Sequence, residues 1–131
     1  PDTGSQLFDY LGSQICFQPL GFDPMINLIS LPDLARAFAL ATVAESSGIF
    51  NIPGKDTLPL SVLIEKWGQT SVPVPSVLLS PLYWLRNKVI GSDFVYDLNR
   101  FRFHFSAVMD GHRAERLLHY TPQSAIMWPA H

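Results

Sequence analysis

Apolar residues recur along this chain with helical spacing in three places and form short runs between them. Leu34, Ala37, Phe38 and Ala41 fall at i, i+3, i+4 and i+7, the spacing of one helical face. Ser30 stands where an N-cap is needed, with Asp33 three residues on in capping-box order and Pro32 tolerated in the first turn. Gly48 marks the stop. Leu60, Leu63, Ile64 and Trp67 make a second stripe, ended by Gly68. Leu78, Leu82, Leu85 and Val89 make a third over residues 76–89, a helix that Pro81 would kink or delay. Two shorter helices are expected at 4–11, stopped by Gly12, and from Asp110 through Leu118. Strands are expected at 15–18, 25–29 and 49–52, and 101–109 reads as strand or extended loop. Val72-Pro73-Val74-Pro75 is extended, because proline disfavours helix at its own position and just before it. The βαβα order predicts an α/β fold of short strands with three or four helices. So few short strands make a weak sheet alone, and the pattern looks like the end of a larger one.

Composition agrees with a folded chain that has a covered face. Of 131 residues, 47% are hydrophobic and only 15% charged, against about 25% in a typical soluble domain. Such a chain is too apolar for intrinsic disorder. So bland a surface is expected to lie partly against something else, a partner chain or a second copy. The length fits one domain spanning residues 1–131. Nine basic and eleven acidic residues give a net charge of −2 without a Lys/Arg run, which argues against a nucleic-acid partner. Pro1-Asp2-Thr3-Gly4 has neither a basic region nor an apolar core, so no signal peptide and a cytoplasmic location are expected. No charge occurs between Trp67 and Leu85, but Pro73, Pro75 and Pro81 break that stretch and no membrane span is expected. Attachment of the 72–85 region to a membrane surface is a separate reading. Cys16, the single cysteine, lies in the apolar run Ile15-Cys16-Phe17 and suits a buried, inert thiol.

Four segments, taken in order, resemble the C-terminal part of the extended short-chain dehydrogenase/reductases, the NAD-dependent epimerase/dehydratase family. Ile29-Ser30-Leu31-Pro32-Asp33-Leu34-Ala35-Arg36-Ala37 is similar to the family's I-H-V-D-D-V-A-R-A, with Asp33 at the second acidic position. Gly48-Ile49-Phe50-Asn51-Ile52-Pro53-Gly54 resembles the G-x-Y-N-V-x-G strand, and a Leu-rich helix follows it. Val108-Met109-Asp110 with Leu117-Leu118-His119-Tyr120-Thr121-Pro122 resembles the closing V-x-D…L-G-f-x-P element, and Pro1 matches the proline of a late Gly-Pro. The resemblance implies the substrate-side lobe of a Rossmann-type protein, with the N-terminal nucleotide-binding part missing. No G-x-x-G-x-x-G and no Tyr-x-x-x-Lys occurs in the 131 residues; Tyr83 and Lys88 are five apart, one too many. The chain alone is therefore expected to bind no cofactor and to be catalytically incompetent, NAD or NADP being implied only for the intact relative.

The resemblance also supplies the candidate site. Arg100 has the offset from Asp110 of an arginine that grips a substrate diphosphate in the sugar-nucleotide members. Arg102 and His104 stand beside it, although the family's R-x-G-D reads Arg100-Phe101-Arg102-Phe103 here. Phe22, Met25 and Asn27 belong to the turn and strand that would rim the substrate cleft, an apolar lining suited to a lipid-like, terpenoid or aromatic small molecule. Residue patterns alone add little. Gly54-Lys55-Asp56-Thr57 fails the P-loop spacing, and no Gly-x-Ser-x-Gly elbow exists. His104, His112, His119 and His131 are not spaced as a metal set. The competing functional class is a non-catalytic module for protein interaction or self-association.

Overall fold

In chain order, the computed structural model builds α1 (Gln6–Leu11), β1 (Ile15–Pro19), β2 (Met25–Leu28), α2 (Leu31–Val43), β3 (Asp56–Pro59), α3 (Leu60–Lys66), β4 (Thr70–Val74), α4 (Ser76–Ile90), α5 (Tyr96–His104) and α6 (His112–Leu118). It describes residues 6–91 and 94–129, so the expected helix start at residue 4 lies outside the described residues. Among the described residues six helices and two two-stranded sheets make a mixed α/β chain, the unforeseen helix being the one at 96–104. Two compact units result, each with its own core.

The first unit takes the described parts of 1–24, 59–106 and 128–131. Its sheet is a parallel pair, β1 beside β4, with Ile15 opposite Thr70 and Pro19 opposite Val74. Pro73 has no N–H to give a further strand and suits β4 to an edge. On the other side of β1 the partner is a side chain. The Tyr83 hydroxyl accepts from the Phe17 N–H at 3.0 Å and donates to the Phe17 carbonyl at 2.9 Å, and the Tyr10 hydroxyl donates to that carbonyl as well. Around these hydroxyls packs an aromatic core of Tyr10, Tyr83, Phe94, Tyr96 and Phe103, with ring centroids 4.9–6.2 Å apart. Such pairs contribute about 0.5–1.5 kcal/mol each beyond their burial. The stripe of α3 packs as its spacing predicts: Leu60, Leu63 and Ile64 are fully buried, while Trp67 caps the helix half-buried.

The α4 stripe is corrected. Helix α4 starts at Ser76 without delay and stops at Gly91, whose φ of 73° is the left-handed turn that favours glycine. Its buried face, however, is Leu79, Tyr83 and Arg86, whereas Leu78, Leu85 and Val89 are exposed and Leu82 only half-buried. The Tyr83 bonds to Phe17 fix the roll of the helix and turn the leucines outward. A second correction concerns 101–104, whereas 105–109 lie outside any helix as expected. Residues 96–104 are helix α5, tied to α4 by Ser80, which donates to the Asp97 carboxylate at 3.0 Å and 3.1 Å. Leu98, Phe101 and Phe105 fall at i, i+3 and i+7, but this apolar stripe faces out, and the buried face is Tyr96, Asn99 and Phe103.

The second unit takes 25–58 and 107–127. Here β2 pairs with β3, and Ala107 bridges to β2 in parallel beside Ile26. Ser30 caps α2 as expected, accepting from the Asp33 N–H at 3.3 Å. The helix turns differently from its predicted stripe: Ala37, Leu40 and Ala44 face Ala114 and Leu118 of α6 and Tyr120, while Phe38 and Ala41 are exposed. What rotates it is Asp33. This buried carboxylate accepts from Arg36 and from the N–H groups of Gln123 and Ser124 at 3.0 Å and 2.9 Å. Asp56 likewise accepts from the Ile126 N–H at 2.6 Å, and Arg36 donates to the Thr121 carbonyl. Two carboxylates thus strap the extended segment 121–127 to the unit. Asn27 locks β2 to the glycine turn, its amide donating to the Gly54 carbonyl and accepting from the Gly54 N–H. A Cβ at Gly54 would collide with the Leu28 carbonyl, so only glycine fits.

Residues 49–52 are not the strand expected. They alternate outward and inward, Ile49 and Asn51 exposed, Phe50 and Ile52 half-buried in the core, yet they pair with no strand among the described residues. Alternation came from the side chains; a ladder needs a neighbour, and none lies alongside. Among the described residues no helix is long and apolar enough to cross a membrane.

Replacing Tyr83 by Phe strands the half-buried Phe17 N–H of β1, while the carbonyl keeps its bond from Tyr10, and is expected to destabilise the fold by about 1–3 kcal/mol, measured by urea unfolding. Asp33 yields a pH prediction. Burial pushes its carboxyl up, but the bonds from Ser124, Gln123, Arg36 and Ser30 outweigh that and hold it below the usual carboxylate range. A depressed folded pKa stabilises fully above the unfolded value of about 3.9 and stops doing so as pH falls through the folded value. Asp33→Asn should therefore lower Tm at pH 7, and the gap from the parent should close towards pH 2 in circular-dichroism melts.

Candidate functional site

Helix α5 repeats polar side chains at i, i+4 and i+8, which places Tyr96, Arg100 and His104 along one face. They line a surface depression of about 480 Å³ with Ser76, Val77, Phe101 and Phe105. The Tyr96 hydroxyl and His104 Nε2 are 3.1 Å apart, so the ring nitrogen and the phenol hold each other. Burial raises the Tyr96 pKa, with Arg100 pulling the other way, and the phenol stays protonated at neutral pH. Arg100 is exposed, with its guanidinium 5.9 Å from the Phe101 ring centroid. Cation, phenol and imidazole form a donor set that could hold an anionic or hydroxylated group. It contains no activated nucleophile and no carboxylate that could serve as a base.

The six expected site residues divide between the units. Arg100 and His104 meet in the depression; Arg102 is exposed and does not line it. Phe22, in the first unit, is partly exposed on the turn after β1. In the second unit Met25 and Asn27 are half-buried in β2, and the Asn27 amide is committed to Gly54 and, at 2.9 Å, to Thr57 Oγ1. That bracing leaves Asn27 a structural task whatever else it touches.

Other chemistries find no support in the geometry. Tyr83 and Lys88 do not act together: the Tyr83 hydroxyl is spent on Phe17, and the Lys88 ammonium sits 4.0 Å from the Trp84 ring centroid. His112 and Asp110 form an exposed pair at 2.5 Å. Its hydrogen bonds raise the histidine and lower the carboxyl. No group of three or more His, Cys, Asp or Glu is gathered for a metal among the described residues; His131 lies outside them. The strand-to-helix junctions at Ser30, Pro59 and Pro75 have no glycine turn, so none makes a cradle for the pyrophosphate of a dinucleotide.

One residue that sequence reading passed over stands out. Arg86 is only 8% exposed, and its Nη1 and Nη2 have no hydrogen-bond partner among the described residues. Its guanidinium lies 5.2 Å from the Tyr83 ring centroid, a contact that offsets about 0.5–2 kcal/mol of the cost of burying it. Nearby Tyr10, Tyr83 and Cys16 are pushed up by burial and stay neutral, so none balances the charge. An arginine three residues after a core tyrosine on the same helix face was the available signal, hidden because the leucine stripe pointed elsewhere.

Burial pushes the Cys16 thiol up to about 11, and its Sγ donates to the Tyr10 carbonyl. Native protein at pH 8 should accordingly react with iodoacetamide at least tenfold more slowly than urea-unfolded protein, as read by mass spectrometry. No protein-family model matches this chain, and no curated protein or solved structure matches it either.

Proposed function

We propose that the chain is the substrate-side portion of an NAD(P)-dependent epimerase, dehydratase or reductase-like protein, and that it is not catalytically competent alone. One observation carries this reading: residues 49–52 have the in–out alternation of a strand but no strand beside them. Ile49, 87% exposed, is the kind of residue a neighbouring strand or helix would cover. The two-stranded parallel β1–β4 pair supports the same reading, because parallel sheets are normally larger and covered on both faces. Nucleotide, acid/base tyrosine and lysine would come from a Rossmann half on another segment or chain. This portion would close over the cofactor and select the substrate, with Arg100 and His104 holding its polar group.

A non-catalytic interaction or self-association module is the second reading. The stacked, outward-facing Phe101 and Phe105, 6.1 Å apart, favour it.

Hydrogen exchange separates the two. Amides 49–52 should exchange fast in the isolated chain and slow at least tenfold when a nucleotide-binding half is supplied. Slow exchange in the chain alone, or tight NAD(P)H binding to it by calorimetry, overturns the proposal.

A further inference from the structure

The outward leucines of α4 and the unpaired Arg86 belong to one feature. Leu82, Leu85, Val89 and Ile90 of α4 and Ile15 of β1 wall a groove of about 560 Å³, within the roughly 300–1,000 Å³ of small-molecule sites. Arg86 lies in its wall. The groove is formed within the first unit alone. It also stands apart from the Tyr96–Arg100–His104 depression and shares no residue with it.

Two physical demands meet there. The walls are hydrocarbon, and Ile15, Leu85, Val89 and Ile90 are exposed to water. The buried cation has two nitrogens without acceptors and no ion pair among the described residues. Burying a charge is costly unless it is paired and hydrogen-bonded. Both nitrogens are closed off from water, so a carboxylate in the groove reaches them once the Arg86 side chain turns outward, and the planar guanidinium then suits two-pronged contact. An alkyl chain would cover the leucines. A ligand that satisfies both has a carboxylate at one end and a single aliphatic chain behind it.

We propose that this groove binds an aliphatic monocarboxylate, with Arg86 receiving the carboxylate and the α4 leucines the chain. The reading does not depend on the proposed function and would hold for an interaction module equally. Decanoate, decanol and decyltrimethylammonium share the chain and differ in the head, so titrating each into the protein by calorimetry tests both halves. Decanoate should bind at least tenfold tighter than either of the others. Arg86→Met, which keeps the side-chain bulk and removes the charge, should bring decanoate down to the level of decanol. Leu85→Glu, at an exposed position of the wall, should weaken decanoate at least tenfold without loss of fold, and it decides the matter if Arg86→Met does not fold. Decanoate binding no tighter than decanol, or decanoate affinity unchanged in the folded variants, overturns the proposal.

Discussion

The roll of α4 about its own axis is fixed by a pair of hydrogen bonds between the Tyr83 hydroxyl and the backbone of Phe17. Much of the first unit follows from it. A tyrosine that completes the free side of β1 must point inward, and its ring then stacks among Tyr10, Phe94 and Tyr96. Arg86, three residues on, is carried inside with it. Leu78, Leu85 and Val89, on other faces of the same cylinder, are carried out. A polar requirement on one strand therefore decides where a charge is buried and where hydrocarbon is exposed.

The second unit is organised by a comparable constraint of opposite character. Asp33 is buried, and its carboxylate collects the N–H groups of an extended segment that has no ladder of its own. Buried backbone donors must find acceptors, and here side-chain carboxylates act in place of a strand. The same shortage runs through the molecule. Tyr83 stands in for a strand beside β1, Asp33 and Asp56 for one beside 121–127, and 49–52 pairs with no strand among the described residues. That common pattern is the ground on which a substrate-side role is proposed.

Arg100 and His104 are the part of the expected site that the fold gathers, because an i, i+4 spacing on α5 suffices to bring them together with Tyr96. Arg102 has the wrong phase. For Arg86 the spacing from Tyr83 gave its face, but its interest lies in having no hydrogen-bond partner among the described residues, a property of the surroundings.

Where one local rule sufficed, the residues alone were enough. The Ser30 cap, the buried stripe of α3 and the buried thiol of Cys16 are each set by short-range spacing or by residue chemistry, and the structure has them. Tertiary structure decided what depends on who stands next to whom. Helix α5 turns its stripe of Leu98, Phe101 and Phe105 outward, because Asp97 and Asn99 anchor it to Ser80 and Gln6. The outward turn of the α4 leucines was decided by Tyr83 and that of Phe38 by Asp33, and 49–52 lost its ladder for want of a neighbour. Periodicity says that a face is apolar; which face is buried depends on the hydrogen bonds that hold the element against its neighbours, and those are not written in its own spacing.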